Sequence, residues 1–341
     1  MTTSQGNTWV RSLLGSTEIR VGPCPSSGRG WYKVGDQVYK WRYYRAVGSY
    51  REGVRLTKPA LVAGMVVLYR PGSEVLENIR SYVSQVEVTY AVDNTEKPDP
   101  SFASELGRIA HVSYMANGSN LGVAAALNIG ARRAIAEGYS RLLTMDQDSV
   151  AASGMVEAML ACFSEARVGK VGLVSPFPVQ VGGAPRVPRG RCVQVLTPMT
   201  SGSLLDLSAY EAVGPFLEEL FIDQVDNEFC LRLWAAGYSV LEAGEATLQH
   251  RVGDVRFHRF PVPMYSTNHP PVRRYYITRN RFHVGRMYRS SFPEFRNFEL
   301  RQVAKDVVKI LLYEEQKWEK LRMMARGYRD YRRGRLGPYP A

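Results

Sequence analysis

From residue 61 onward the apolar residues come in short continuous runs, separated by stretches with helical periodicity. LVAGMVVLY at 61–69 has the length and composition of a strand buried on both faces. EVLENIRSYVS at 74–84 reads as a helix and VEVTYAVDN at 86–94 as a second strand, ending in Asp93-Asn94. LGVAAALNIGARRAIAE at 121–137 is an Ala-rich helix stopped by Gly138, and RLLTM at 141–145 is the next strand. A helix over 153–165 and a strand over 171–176 follow, then a Pro/Gly-rich stretch over 176–190 that reads as loop. Residues 200–214 predict a strand and a short helix, 221–238 a helix with an acidic start and a Gly stop, and 247–254 a strand end followed by a turn. Strands alternating with helices of ten or more residues predict an α/β fold, with a mainly parallel mixed sheet flanked by helices in a Rossmann-like arrangement. In such sheets ligands bind outside the carboxyl ends of the strands.

The two ends of the chain differ from this centre. In residues 1–60 only GWYKVGDQVYKWRYY (30–44) alternates, with Gly35-Asp36 as a candidate hairpin turn, so a small extension, β-rich or partly disordered, is expected there. Residues 61–285 form the expected catalytic domain, and 286–341 a basic, largely helical C-terminal segment. Within 298–328, Leu300, Val303, Val307, Leu311, Trp318 and Leu321 fall on one face of an amphipathic helix. Such a helix packs on its own domain or lies on a membrane surface.

The net charge of +12 sharpens the division. Residues 256–341 carry 20 Lys and Arg against 7 Asp and Glu, and residues 1–60 carry 10 against 3, so the centre is acidic. Basic flanks suit an anionic partner, whereas an acidic centre suits a metal and repels nucleic acid; no nucleic-acid partner is expected, and a non-catalytic basic nucleic-acid-binding protein is the lesser alternative. No apolar run approaches the ~18–20 residues of a membrane span, and the first twenty residues lack the apolar core of a signal peptide. Cys24, Cys162, Cys192 and Cys230 are scattered without a C-x-x-C pair and read as reduced thiols in a cytosolic protein.

Several residue groups carry candidate chemistry. Asp146 and Asp148 flank Gln147 at the end of a strand. In an extended segment residues i and i+2 point the same way, so both carboxylates can hold one divalent cation; the alternative is a capped turn. Asp226 stands at a helix start, either as a cap or as a general base facing the cleft. His250 closes another strand, as a structural side chain or a further metal ligand. RRYYITRNRFH at 273–283 is either a solvated basic face or a set of phosphate and sugar contacts.

Seven segments in order resemble the family 2 glycosyltransferases, and among them the bacterial rhamnosyltransferase branch. They are YRP (69–71), VDN (92–94), NLGVAAALNIG (120–130), LLTMDQDS (142–149), TSG (200–202), FIDQVDNEFCLRLWAAGY (221–238) and LQHRVG (248–253). The resemblance implies a GT-A fold and an inverting transfer of a sugar from a nucleotide donor. It implies that Tyr69, Asp93, Asn94, Asn120, Gly122 and Asp146 bind the donor nucleotide, and that Asp146, Asp148 and His250 hold Mg²⁺ or Mn²⁺. Asp226 is the implied catalytic base. Ser201, Gly202, Glu228, Arg232, Arg274, Tyr276, Arg279 and Asn280 are expected against the acceptor or a phosphate. The implied donor is dTDP-L-rhamnose, with UDP-sugars such as UDP-galactofuranose as the alternative. The implied acceptor is a saccharide, free or linked to a polyprenyl diphosphate, in surface polysaccharide or O-antigen synthesis. The expected location is cytoplasmic, peripheral at the inner face of the membrane. Arg70 departs from the family pattern, which often has a smaller polar residue before the proline, and residues 1–60 match nothing in it.

Overall fold

The computed structural model describes residues 61–165, 168–180, 187–250, 256–260 and 263–340, together with three short N-terminal strands. Those strands, β1 (Ile19–Val21), β2 (Arg29–Val34) and β3 (Gln37–Arg42), form an antiparallel sheet in which Val34 pairs with Gln37. The Gly35-Asp36 turn, Cys24 and residues 251–255 lie outside the described residues.

The main sheet is built from β4 (Val62–Leu68), β5 (Val88–Asp93), β6 (Val112–Ala116), β7 (Arg141–Asp146), β8 (Ser149–Ala151), β9 (Val171–Gln180), β10 (Cys192–Gln194), β11 (Ser203–Asp206) and β12 (Ser239–His250). Its order is β10-β12-β9-β11-β7-β4-β5-β6, with β8 paired to β12 off that path. β7, β4, β5 and β6 run parallel, as do β9 and β12; β11 is inserted antiparallel between β7 and β9. The predicted mixed α/β sheet is present, and the inserted strand divides its parallel part in two.

All seven residues of β4 are buried, and the two cores explain why. Ala63, Met65 and Val67 enter the core beneath α3 (Val123–Ala136), α5 (Leu207–Val213) and α6 (Val225–Ala235). Val62, Val66 and Leu68 enter the opposite core, beneath α1 (Glu74–Arg80) and α4 (Met155–Glu165). A strand covered on both faces has no solvent side to keep polar. The Ala-rich character of α3 has a similar cause: a Cβ on Gly130 would stand 2.5 Å from the Met65 sulfur, so the helix lies close on β4.

Several elements differ from the sequence reading. α2 (Pro100–Leu106), capped by the Asp99 carboxylate on the Ser101 N–H, and β6 are too short to show a period. β9 continues to Gln180 through Pro176 and Pro178, where loop was expected. It can do so because its pairing with β11 covers only Leu173 and Val174, so the prolines interrupt no ladder on that side. Cys162 and Cys192 form a disulfide joining α4 to β10, which corrects the reading of reduced thiols; Cys230 is free and buried. Their separation of 30 residues carries no sequence signal.

The C-terminal segment is three helices, α7 (Pro271–Met287), α8 (Pro293–Tyr313) and α9 (Lys317–Arg332), preceded by the hairpin β13 (Arg256–His258) and β14 (Met264–Ser266). The single amphipathic helix expected over 298–328 is broken at 314–316, with Gln316 at φ 50°. Its inward face is also not the predicted one: α8 buries Phe295, Glu299, Asp306 and Ile310, while Leu311 and Trp318 are exposed. α9 lies against α7 through Gly327, whose added Cβ would stand 2.5 Å from the Tyr275 carbonyl oxygen. Gly327→Ala is therefore expected to push the helices apart and cost about 1–3 kcal/mol. Thermal unfolding should show a fall of several degrees, and an unchanged melting temperature would mean that the contact yields without strain.

Candidate active site

The carboxyl ends of β4, β5 and β7 meet at one edge of the sheet, and the polar residues that terminate these strands hold one another. Gln147, the middle residue of Asp-Gln-Asp, clamps the end of β4: its Oε1 accepts the Tyr69 N–H at 2.9 Å and its Nε2 donates to the Tyr69 carbonyl at 3.3 Å. Asn78 of α1 donates to the Gln147 carbonyl at 2.7 Å. From the other side the Thr200-Ser201-Gly202 loop grips β7. Thr144 donates to the Thr200 carbonyl, the Gly202 N–H donates to the Thr144 carbonyl, and the Asp146 N–H donates to Ser201 Oγ at 3.0 Å. Gly202 sits at φ 78°, and a Cβ there would stand 2.6 Å from Pro176. Ser201 is 1% exposed and donates to Ser149 Oγ. Ser201 and Gly202 thus fix the Asp-Gln-Asp turn. β8 pairs antiparallel with β12 so that His250 stands opposite Ser149, next to Asp148 in the chain.

The expected nucleotide-binding residues build a neighbouring shelf. The Asp93 carboxylate is buried and accepts the Thr95 N–H at 2.8 Å and the Tyr114 hydroxyl at 2.7 Å. Asn94 donates to the Gly122 carbonyl and accepts from Asn117, and Asn120 accepts the Gly122 N–H. Gly122, at φ 86°, lets the start of α3 approach Phe221, whose carbonyl oxygen would stand 2.6 Å from an added Cβ. Tyr69 alone of this group is exposed; its hydroxyl donates to Glu96, and Arg70 pairs with Glu96 at 3.3 Å on the rim.

Asp226 opens α6 across the cleft, half-buried, with its carboxylate accepting the Asn227 N–H at 2.8 Å. Burial pushes this carboxyl up to about 6, and the charges of Asp223 and Asp146 add to the rise. A cavity lined by Thr144, Met199, Thr200, Phe216 and Phe229 lies against it and keeps its surroundings apolar. Asp223 receives Arg273 at 3.2 Å, and burial raises its carboxyl as well. Its Oδ2 is buried and has no hydrogen-bond partner among the described residues. Against the downward pull of burial, the charges of Asp223, Asp146 and Asp148 hold the Arg273 guanidinium protonated. Four carboxylates and one arginine therefore share one cleft.

That donor set suits a hard divalent cation, which takes carboxylate oxygens and leaves positions for phosphate oxygens. Among the described residues no cluster of three or more His, Cys, Asp or Glu is preformed for a metal. A cation here would take its protein ligands from Asp146 and Asp148, with His250 in register beside them.

The remaining expected contacts are internal, for a common physical reason: each side chain satisfies buried backbone or charge. Glu228 is 1% exposed and pairs with Arg232 at 2.8 Å, and Arg232 also donates to the Val213 and Gly214 carbonyls. Arg274 is buried between Asp306 and Glu314. Arg279 donates to the carbonyls of Glu219, Leu220 and Gly337, and the Asn280 amide nitrogen lies 2.7–3.0 Å from those of Leu220, Ile222 and Asp223. Tyr276 stacks on Phe221 with centroids 5.1 Å apart. These six residues hold the ends of α5 and α6, the loop before α6 and the helices behind it, and these internal partners are what the structure gives for them. Periodicity assigns no role to Gln147, Asn78 or Gln224; an amide residue at a strand or helix end was the available signal.

Residues 65–186 match the family model described as Glycosyl transferase family 2. The chain is 27% identical over 247 residues to dTDP-rhamnosyl transferase RfbF of Shigella flexneri, covering 65% of this chain and 78% of that protein. Among solved structures, mannosyltransferase PcManGT from Pyrobaculum calidifontis, in complex with GDP-Man and Mn²⁺, aligns with a TM-score of 0.51 at 14% identity, over 82% of this chain and 84% of that one. GalNAc-T7 with UDP, GalNAc and Mn²⁺ aligns with a TM-score of 0.51 at 13% identity, over 70% of this chain and just over half, 54%, of that one. With the Asp-Gln-Asp turn and Asp226 facing each other across the strand ends of a curled mixed sheet, the chain has the GT-A fold, carries a match to the family 2 glycosyltransferase model over residues 65–186 and is similar in sequence to a rhamnosyltransferase.

Proposed function

We propose that this enzyme moves L-rhamnose from dTDP-L-rhamnose onto a saccharide acceptor, with inversion at the anomeric carbon. The observation that carries the reading is the pairing of two unlike carboxylate groups across one cleft. Asp146 and Asp148 sit together in a rigid turn, and Asp226 faces them with a raised pKa. The similarity to a protein named dTDP-rhamnosyl transferase supports the choice of donor. The acceptor is a sugar hydroxyl, in the fullest form of the reading on a polyprenyl diphosphate used for surface polysaccharide.

Asp146 and Asp148 would hold Mg²⁺ or Mn²⁺, with His250 as a further ligand; when bound, the ion neutralises the diphosphate that leaves. Tyr69 offers an exposed ring at the mouth of the nucleotide shelf. Asp226 accepts the proton of the acceptor hydroxyl as that oxygen bonds to the anomeric carbon and the sugar–phosphate bond breaks. A carboxylate displaced upward toward neutrality is a stronger base than a solvated one, yet is still ionised near pH 7. The unpartnered Asp223 Oδ2 is an acceptor for a second sugar hydroxyl, and Arg273 beside it supplies positive charge toward the phosphates.

Titration calorimetry with dTDP and UDP, each with and without Mn²⁺, tests the donor site. Binding of dTDP that requires metal and disappears in Asp148→Ala is the expected outcome. A preference for UDP would overturn the donor, and no metal-dependent binding of either would overturn the site.

Asp226→Asn should lose on the order of 10²–10⁴ in turnover while donor binding persists. Near-normal turnover would remove Asp226 from the role. The same substitution should stabilise the fold at higher pH. Ionised Asp226 costs stability above its folded value of about 6, and the cost vanishes below the ordinary 3.8, where both states are protonated. In the presence of EDTA, the Asn variant should melt ~2–4 °C above wild type at pH 8, narrowing to no difference near pH 4. A gap independent of pH would mean that burial imposes no cost on this carboxylate.

A further inference from the structure

We infer that the outer face of α8, with the first turn of α9 and the β13–β14 hairpin beside it, seats this protein on an anionic lipid bilayer. The inference deepens the lipid-linked acceptor proposed above by naming the surface that presents it. The polarity of α8 is inverted for a helix packed on its own domain. Glu299 and Asp306 face inward and are neutralised by Arg281 and Arg274 of α7, so no uncompensated charge is buried. Phe298, Val308, Leu311 and Leu312 face outward, and Trp318 follows at 82% exposure. Arg301 and Lys305 share that exposed stripe, at the i+3 and i+7 positions from Phe298. From Phe298 to Leu312 the stripe is about 21 Å long, enough to lie along a surface.

The hairpin packs on the other side of α8 at its C-terminal end, where Tyr313 continues the inward row of Glu299 and Asp306 at seven-residue intervals. The His258 ring stacks on Tyr313, the last residue of α8, with centroids 4.3 Å apart. The exposed rings of Phe257 and Tyr265 meet at a tilt of 44° with centroids 4.8 Å apart, and Phe260 is 87% exposed. The hairpin thus adds exposed aromatic rings near the end of α8, beside the stripe rather than along it.

Charge decides the occupant. The exposed charged side chains of α8, Arg296, Arg301 and Lys305, are all basic, while Glu315 and Glu319 flank Lys317 and Trp318 beyond its end. The other acidic residues of α8 and α9 are buried, apart from the half-buried Glu294. A second copy pairing through this face would set like charges against each other. A bilayer with anionic headgroups accepts the basic groups at its surface and the apolar side chains just below. No helix among the described residues is long and apolar enough to cross a membrane, so the contact is superficial.

Sedimentation of the full chain with phosphatidylglycerol–phosphatidylcholine vesicles, beside pure phosphatidylcholine vesicles, tests the inference. Wild type should sediment with the anionic vesicles, less so as salt rises. The Leu311→Gln, Leu312→Gln, Trp318→Gln triple variant should lose on the order of tenfold or more in binding. Lys305→Glu with Lys317→Glu should weaken binding as well, and serves if the triple variant does not fold. No binding by wild type, or equal binding by wild type and both variants, would overturn the inference. Light scattering that shows a dimer broken by the triple variant, with no vesicle binding, would assign the face to a second copy and also overturn it. No substrate is present, so failure here is distinct from failure of the catalytic reading, which the nucleotide titration reports.

Discussion

Phe221, Asp223 and Gln224 all have φ between 64° and 66°, and none is glycine. Each such residue costs roughly 1–3 kcal/mol unless its surroundings over-determine it. The surroundings here are the C-terminal helices. Asn280 and Arg279 of α7 take up the carbonyls of Glu219, Leu220, Ile222 and Asp223, Tyr276 stacks on Phe221, and Gln224 donates to Glu299 of α8 at 2.9 Å. The strained loop ends two residues before Asp226. The position of the proposed base therefore depends on helices about 50–75 residues downstream, and the C-terminal segment is part of the site's scaffold.

The opposite wall of the cleft is fixed by shorter-range means. Two carboxylates one residue apart repel, and a turn carrying them holds only if its backbone is tied down. Gln147 does this toward β4, Asn78 toward α1, and Ser201 toward β11. Gly202 and Gly122 supply the close approaches that a side chain would block. The middle residue of the Asp-Gln-Asp motif thus has its own task, the joining of two parallel strand ends. One wall is held by sheet-edge amides and the other by a helical clamp, and the acidic groups project between them.

Much of this was legible in the sequence where burial alone decides the residue type. β4, β7 and α3 read cleanly, because a two-sided core demands apolar runs and a close helix demands alanine. Asp146, Asp148 and Asp226 were legible through motif order. The internal partners of Arg274, Arg279, Asn280, Glu228 and Arg232 were not, since a charged or amide side chain looks the same in sequence whether it meets a ligand or a buried group of the protein. Only a three-dimensional partner separates the two, and those partners lie 4 to 60 residues away. The face of α8 failed for a related reason. Apolar periodicity assumes that charge points outward, whereas here Arg281 and Arg274 neutralise Glu299 and Asp306 inside.

Those inward ion pairs also join the two functional surfaces. Gln224 bonds to Glu299, Glu299 to Arg281, Arg281 to Asp306, Asp306 to Arg274, Arg274 to Glu314 and Glu314 to Lys320 of α9. Breaking one partner out of such a chain leaves a buried charge uncompensated, at a cost of about 3–5 kcal/mol. An apolar interior would hold the helices as firmly, but it would not fix their register, because apolar contacts slide where charge pairs do not. The exposed stripe of α8 and the start of α6 are held in one frame, so in the proposed seating on a bilayer the fold would set the height of Asp226 above the lipid.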